Sequence, residues 1–190
     1  MKFDVQSVSR DIADSRRRAE ALIDAISADQ LMRLMRRPDP GKWSIAECLA
    51  HLNMTAATVQ KIMARGIEQA KQEKKFGEGL FSLGPNGRLL VWIAEPPPKF
   101  RIRAPKNVRP PTAIEDPLQL LPAFLKAQDE WERLMREQEG LDLAKIKVGQ
   151  GIFRMRLAAA LPWMMAHQRR HLLQAENVKR QIVSAASAKA

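Results

Sequence analysis

Tyrosine is missing from this 190-residue chain, and aromatic residues make up only 5% of it. A single cysteine, Cys48, excludes an intramolecular disulfide and every scaffold that depends on one. A lone thiol suits a reducing compartment, so a cytoplasmic location is expected. No apolar run approaches the ~18–20 residues that cross a bilayer, so a membrane-spanning role is excluded and no membrane partner is expected. The opening stretch "MKFDVQSVSRDIADSRRR" has no apolar segment of the kind a secretory leader carries, and none is expected. Acidic residues are outnumbered, 21 against 32 basic, which leaves a formal net charge of +11. The basic residues are scattered in short groups, and no zinc-finger, homeodomain or RNA-recognition signature accompanies them. They read as a solvated surface, or as an attraction for an anionic small substrate; a nucleic-acid partner is not expected.

What is present is a soluble globular composition, 45% hydrophobic and 28% charged, in a length that fits one domain. A single domain over 1–183 is expected, with 184–190 as a frayed tail. Four long helices can be traced. The first runs from about Phe3 or Val5 to Arg36, with Val8, Ile12, Ala19, Leu22, Ile23 and Ile26 on one face. "SADQ" at 27–30 can cap its last part, and "RPDPGK" at 37–42 must break it. The second starts at Ser44, where "SIAE" is a capping box, and extends to about Lys75. Its apolar stripe is Ile45, Leu49, Leu52, Ala56, Val59 and Met63. Residues 76–116 hold seven of the twelve prolines and read as a long irregular crossover, with "GRLLVWIAE" as a short helix inside it. The third helix begins near Asp116–Pro117 and ends at Gly140. After a connector over 141–156, the fourth starts between Leu157 and Pro162, with the proline best placed in its first turn.

The chain has three histidines, and their spacing invites one question: are they a site? His167 and His171 are four residues apart, hence on one helix face about one turn from each other, among Met164, Gln174 and Val178. His51 lies on a stripe with Ser44, Cys48 and Thr55 that borders the apolar stripe of the second helix. Buried imidazoles are costly unless hydrogen-bonded or metallated. Two helices facing one another could thus bring three imidazoles together as an open metal site, three protein ligands with one position left. The pattern is equally compatible with three hydrogen-bonded core histidines.

"GKWSIAECLAHLNMT", the middle segment "RIRAPKNVRPP" and the closing "AHQRRHLLQAENVKRQ" together resemble the DinB-like (DinB/YfiT) superfamily, and the resemblance spans nearly the whole chain. It implies an all-α four-helix bundle with an up-down-down-up path, the long crossover lying between helices two and three, often as a homodimer. It also implies a divalent transition metal, nickel, zinc or similar, held by His51, His167 and His171. Characterised relatives include S-transferases that use low-molecular-weight thiols; others are described as metal-dependent hydrolases, and a non-catalytic metal-binding stress protein is a further reading. A small-molecule substrate, and a thiol in particular, is the partner this implies.

Around the three histidines, Glu47, Cys48, Gln174 and Arg170 are candidates for supporting roles. Glu47 and Gln174 could orient imidazoles, although Glu47 also belongs to the capping box. Cys48 could face a metal, or be a small buried hydrophobe. Arg170 could meet an anionic substrate or stay solvated. The four tryptophans read as core or pocket wall.

Overall fold

A computed structural model of the chain describes residues 2–23, 28–100, 103–111, 113–149 and 154–187. The architecture is all-α, built from α1 (Gln6–Glu20), α2 (Ala28–Met35), α3 (Ile45–Gln72), α4 (Gly84–Ala94), α5 (Leu120–Glu137) and α6 (Leu157–Ser187). Two short antiparallel pairs trim it: β1 (Lys2–Phe3) with β2 (Phe81–Ser82), and β3 (Lys147–Val148) with β4 (Met155–Arg156).

The start of α3 is fixed locally. Ser44 Oγ accepts from the Glu47 amide at 3.1 Å, and the Glu47 carboxylate accepts from the Ser44 amide at 2.8 Å, so two amides that the helix leaves unpaired are satisfied. The same carboxylate forms a two-pronged pair with Arg37, one prong at 2.8 Å, which ties the proline-bearing turn to the helix it precedes. Burial opposes charge on Glu47, but Arg37 and Ser44 outweigh it and hold the carboxyl below its ordinary range.

The opening stretch, expected to reach Arg36 with a short capped continuation over Leu31–Arg36, is two separate elements. α1 stops at Glu20, and α2 begins only at Ala28. Lys179 of α6 caps the end of α1, donating to the Ala21 carbonyl at 2.7 Å. Ile26 and the cap expected at Ser27 lie outside the described residues. Asp116 caps as expected by accepting from the Leu118 amide at 3.1 Å, but the first turn, Pro117–Gln119, is of the tighter 3-10 kind before α5 begins. α5 ends at Glu137, three residues before the expected Gly140, which at φ +75° takes the left-handed conformation in the turn that follows. α6 starts at Leu157 and carries Pro162 in its second turn, not its first. Its first amides are met from outside the helix, Leu157 by the Ile146 carbonyl at 2.8 Å and Ala158 by that of Leu143 at 3.1 Å.

Paired side chains give the relative directions of the long helices. Asp11 meets Arg169 at 2.6 Å and Arg18 meets Glu176 at 2.6 Å, so α1 and α6 run the same way. Asn53 reaches the Leu120 carbonyl at 3.0 Å and Gln60 that of Ala127 at 2.7 Å, so α3 and α5 also run together. Two apolar clusters fill the interior. One gathers Ile12, Ala56, Trp131 and Ala166; the other gathers Ala19, Leu52, Phe124 and Leu172. Since α1 passes from Ile12 to Ala19 while α5 passes from Phe124 to Trp131, and α3 from Leu52 to Ala56 while α6 passes from Ala166 to Leu172, α1 is antiparallel to α5 and α3 to α6. The seam between the clusters is polar: Ser15, Gln128 and Gln168 are buried there.

Two glycines set close approaches. A Cβ on Gly87 would stand 2.6 Å from that of Ala159, so only glycine lets α4 lie on α6 at this distance; one on Gly66 would stand 2.7 Å from Val148, where β3 crosses α3. The crossover is thereby held against the helix that carries two of the histidines.

Candidate metal centre

His51 comes from the second turn of α3 and is buried; His167 and His171 come from successive turns of α6 and are half-buried. The structure brings all three together. Their ligand-type nitrogens lie within 4.8 Å of one another, and the ring centroids are 4.5–5.1 Å apart. The His51 and His167 Nε2 atoms are 3.1 Å apart.

Hydrogen bonds on the far side of the rings decide which nitrogen faces inward. His51 Nδ1–H donates to the Val108 carbonyl at 2.6 Å, and His171 Nδ1–H donates to Gln174 Oε1 at 3.1 Å. A carbonyl can only accept, so both rings carry their proton on Nδ1 and present a bare Nε2 to the centre. His167 Nδ1 is buried and has no hydrogen-bond partner among the described residues.

The electrostatics match. Burial pushes all three imidazoles towards the neutral form: His51 below its ordinary range, only partly offset by the Val108 carbonyl; His167 well below it, with His171, His51 and Arg170 adding to the effect; and His171 to about 3, with His51 and Arg170 adding and Gln174 opposing. Neutral imidazole is the ligating form, so no deprotonation is required near pH 7.

The donor set fits a divalent transition metal. With metal–nitrogen bonds of about 2.0–2.1 Å, two ligands on one ion stand about 2.8–3.4 Å apart, from right-angled to tetrahedral arrangements. The separation of 3.1 Å between two Nε2 atoms falls inside that interval. Among the described residues the group holds three histidines and neither a cysteine nor a carboxylate, a set of three ligands that leaves a coordination position open.

A family model described as the DinB superfamily matches residues 11–175. The chain belongs to the DinB superfamily. No curated protein and no solved structure matches it.

The supporting residues of this DinB-superfamily chain fall in different places. Gln174 is on His171. The Glu47 carboxylate is taken up by the capping box and Arg37. Cys48 is wholly buried in the cluster with Leu49 and Leu172, where burial first and Glu47 second push its thiol up. Arg170 donates to the carbonyls of Ile93, at 3.0 Å, and Phe100, at 2.5 Å, and so pins the crossover beside the histidines. Arg169 does the same through Glu95, at 2.7 and 2.9 Å. Of the tryptophans, Trp43 packs on two ligand candidates, 5.0 Å from His51 and 5.7 Å from His171, and Trp163 lies 5.9 Å from His167.

Sequence reasoning did not find the Val108 carbonyl. A backbone acceptor leaves no mark in residue identity; the one available sign was that it lies in the proline-flanked "RIRAPKNVRPP" segment.

Proposed function

We propose that this chain is a metal-dependent enzyme of the low-molecular-weight-thiol S-transferase type, with His51, His167 and His171 as the ligands of one divalent ion, nickel or zinc in class. The observation that carries the reading is the convergence of three neutral imidazoles, two of them locked by Val108 and Gln174 with Nε2 inward. The antiparallel and parallel helix pairs support the finer fold reading, an up-down-down-up bundle of α1, α3, α5 and α6.

Bound at the three histidines, the metal would lower the pKa of a thiol at its open position so that the thiolate forms near pH 7. The residues do the rest. Val108 and Gln174 hold the imidazole protons away from the centre. Trp43 and Trp163 form apolar walls that keep the nucleophile's surroundings dry. Arg169 and Arg170 fix the crossover at the rim.

Elemental analysis of the purified protein tests the site. About one divalent transition metal per chain is expected, lost in His167→Ala; full occupancy in that variant refutes it. Turnover of electrophiles that depends on added thiol supports the transferase. Thiol-independent hydrolysis would instead select the hydrolase, and metal without turnover the non-catalytic reading.

A further inference from the structure

The crossover presents a second feature, on its exposed side chains. Leu89 and Trp92 are one turn apart on α4 and about half exposed, at 54% and 51%, and Phe100 is exposed to 54%. Trp92 and Phe100 meet edge to face with centroids 6.2 Å apart, and Lys99 Nζ stands 5.1 Å over the Trp92 ring. Three large apolar side chains thus gather at one surface, a costly arrangement unless something covers them.

Charge indicates what. The described residues 84–100 and 103–111 contain five basic residues, Arg88, Lys99, Arg103, Lys106 and Arg109, against one acid, Glu95. Both oxygens of Glu95 are engaged by Arg169, so its charge is neutralised within the fold. Arg88, Arg103, Lys106 and Arg109 are exposed. A second copy of the chain packed symmetrically here would set this basic face against itself. Nucleic acid offers phosphate but nothing to cover Leu89, and the aromatic rings are not free stacking platforms: one face of Trp92 lies under Lys99 and Phe100 stands at 67° to it. The interfacial zone of an anionic bilayer supplies both halves, acidic headgroups for the cations and an apolar layer for tryptophan, phenylalanine and leucine.

We propose that the α4–crossover face of this protein docks on anionic lipid membranes, with Leu89, Trp92 and Phe100 entering the headgroup boundary and Arg88, Lys99 and their basic neighbours meeting lipid phosphate. This is docking on a surface, not insertion: among the described residues no helix is long and apolar enough to cross a membrane. It revises the expectation of no membrane partner, which followed from the lack of an apolar run, a feature that surface docking does not need. The proposal is independent of the histidine site.

Sedimentation of the full chain with phosphatidylcholine vesicles containing about a third phosphatidylglycerol, against phosphatidylcholine alone, tests it. Partition at least about tenfold stronger onto the anionic vesicles is expected, weakening steeply with salt. Trp92→Ser/Phe100→Ser and Arg88→Glu/Lys99→Glu should each lower it by about tenfold or more, with far-UV circular dichroism unchanged because none of the four side chains belongs to the core. A blue shift of tryptophan emission on vesicle addition, missing in Trp92→Ser, reports entry of that ring. Equal partition onto both vesicles, no partition, or partition indifferent to the Trp92/Phe100 pair overturns the proposal. So does a dimer in vesicle-free solution that the same pair dissolves, or an oligonucleotide that displaces the protein from vesicles at lower concentration than it binds them.

Discussion

Gln174 tests the logic of the metal centre more sharply than any ligand does, because it touches the site through one hydrogen bond. Gln174→Leu keeps the volume and removes the acceptor 3.1 Å from His171 Nδ1. The imidazole is then free to rotate or to move its proton to Nε2, and the buried Nδ1–H loses its partner. His51 keeps Val108, so one ligand of three is disturbed. Losing such an orienting partner ordinarily lowers metal affinity by 10–100-fold, about 1.4–2.7 kcal/mol. The lower half is expected here, since His171 is half-buried and water can replace part of the bond. Gln174→Glu should restore or exceed the parent affinity, because a carboxylate is a stronger acceptor and makes the imidazole a better donor to the ion. Competition against a chromophoric chelator at fixed pH measures the series, and thermal melting of the metal-free forms shows that each variant folds. Equal affinities across glutamine, leucine and glutamate would refute the claim that Gln174 sets the ring.

Three more outcomes follow from the geometry. In the metal-free protein the three depressed imidazoles make acid destabilising: the unfolded chain takes up their protons below about pH 6.5 while the folded chain resists, down to about 3 for His171, so the unfolding free energy from urea titrations should fall across that window by up to about 1.4 kcal/mol per pH unit per histidine, less where solvent reaches the ring; His171→Asn should flatten the profile, and an unchanged slope would count against its burial as the cause. Cys48→Ala should leave metal content unchanged and cost about 1 kcal/mol in denaturant unfolding through the small cavity, whereas loss of metal would make the thiol a ligand. Gly87→Val should cost about 1–3 kcal/mol by driving α4 from Ala159, and limited proteolysis should then cut the crossover faster; parent-like protection would show that the contact yields easily.

Legibility in the sequence followed the range of the forces involved. Ser44 and Glu47 cap α3 through neighbours three residues apart, and His167 and His171 share a face by helical period, so both could be read locally. His51 was legible one step further, because its stripe borders an apolar one. The partner at the end of α1 was not, because the Lys179 ammonium on the Ala21 carbonyl comes from more than a hundred and fifty residues away. Nor was the second partner of Glu47, since Arg37 reaches it across a proline-rich turn whose path no periodicity describes. The pair β3–β4 was hidden for the same reason: Val148 lies close against Gly66 of α3, a contact distant in sequence. The Arg170 assignment shows the limit from the other side, for its neighbourhood to the ligands was legible while its use, gripping two backbone carbonyls, was not.

The bond from His51 to the Val108 carbonyl has a thermodynamic consequence. It makes a stretch of crossover backbone part of the support of the metal centre, 57 residues from the ring it orients. Ordering of the loop and occupancy of the site are then linked quantities: whatever factor the ordered loop adds to metal affinity, the bound metal returns to the loop's closed population. Protease resistance around Val108 should therefore titrate with added metal, and a ligand that grips or loosens the crossover would tune the centre without touching a histidine.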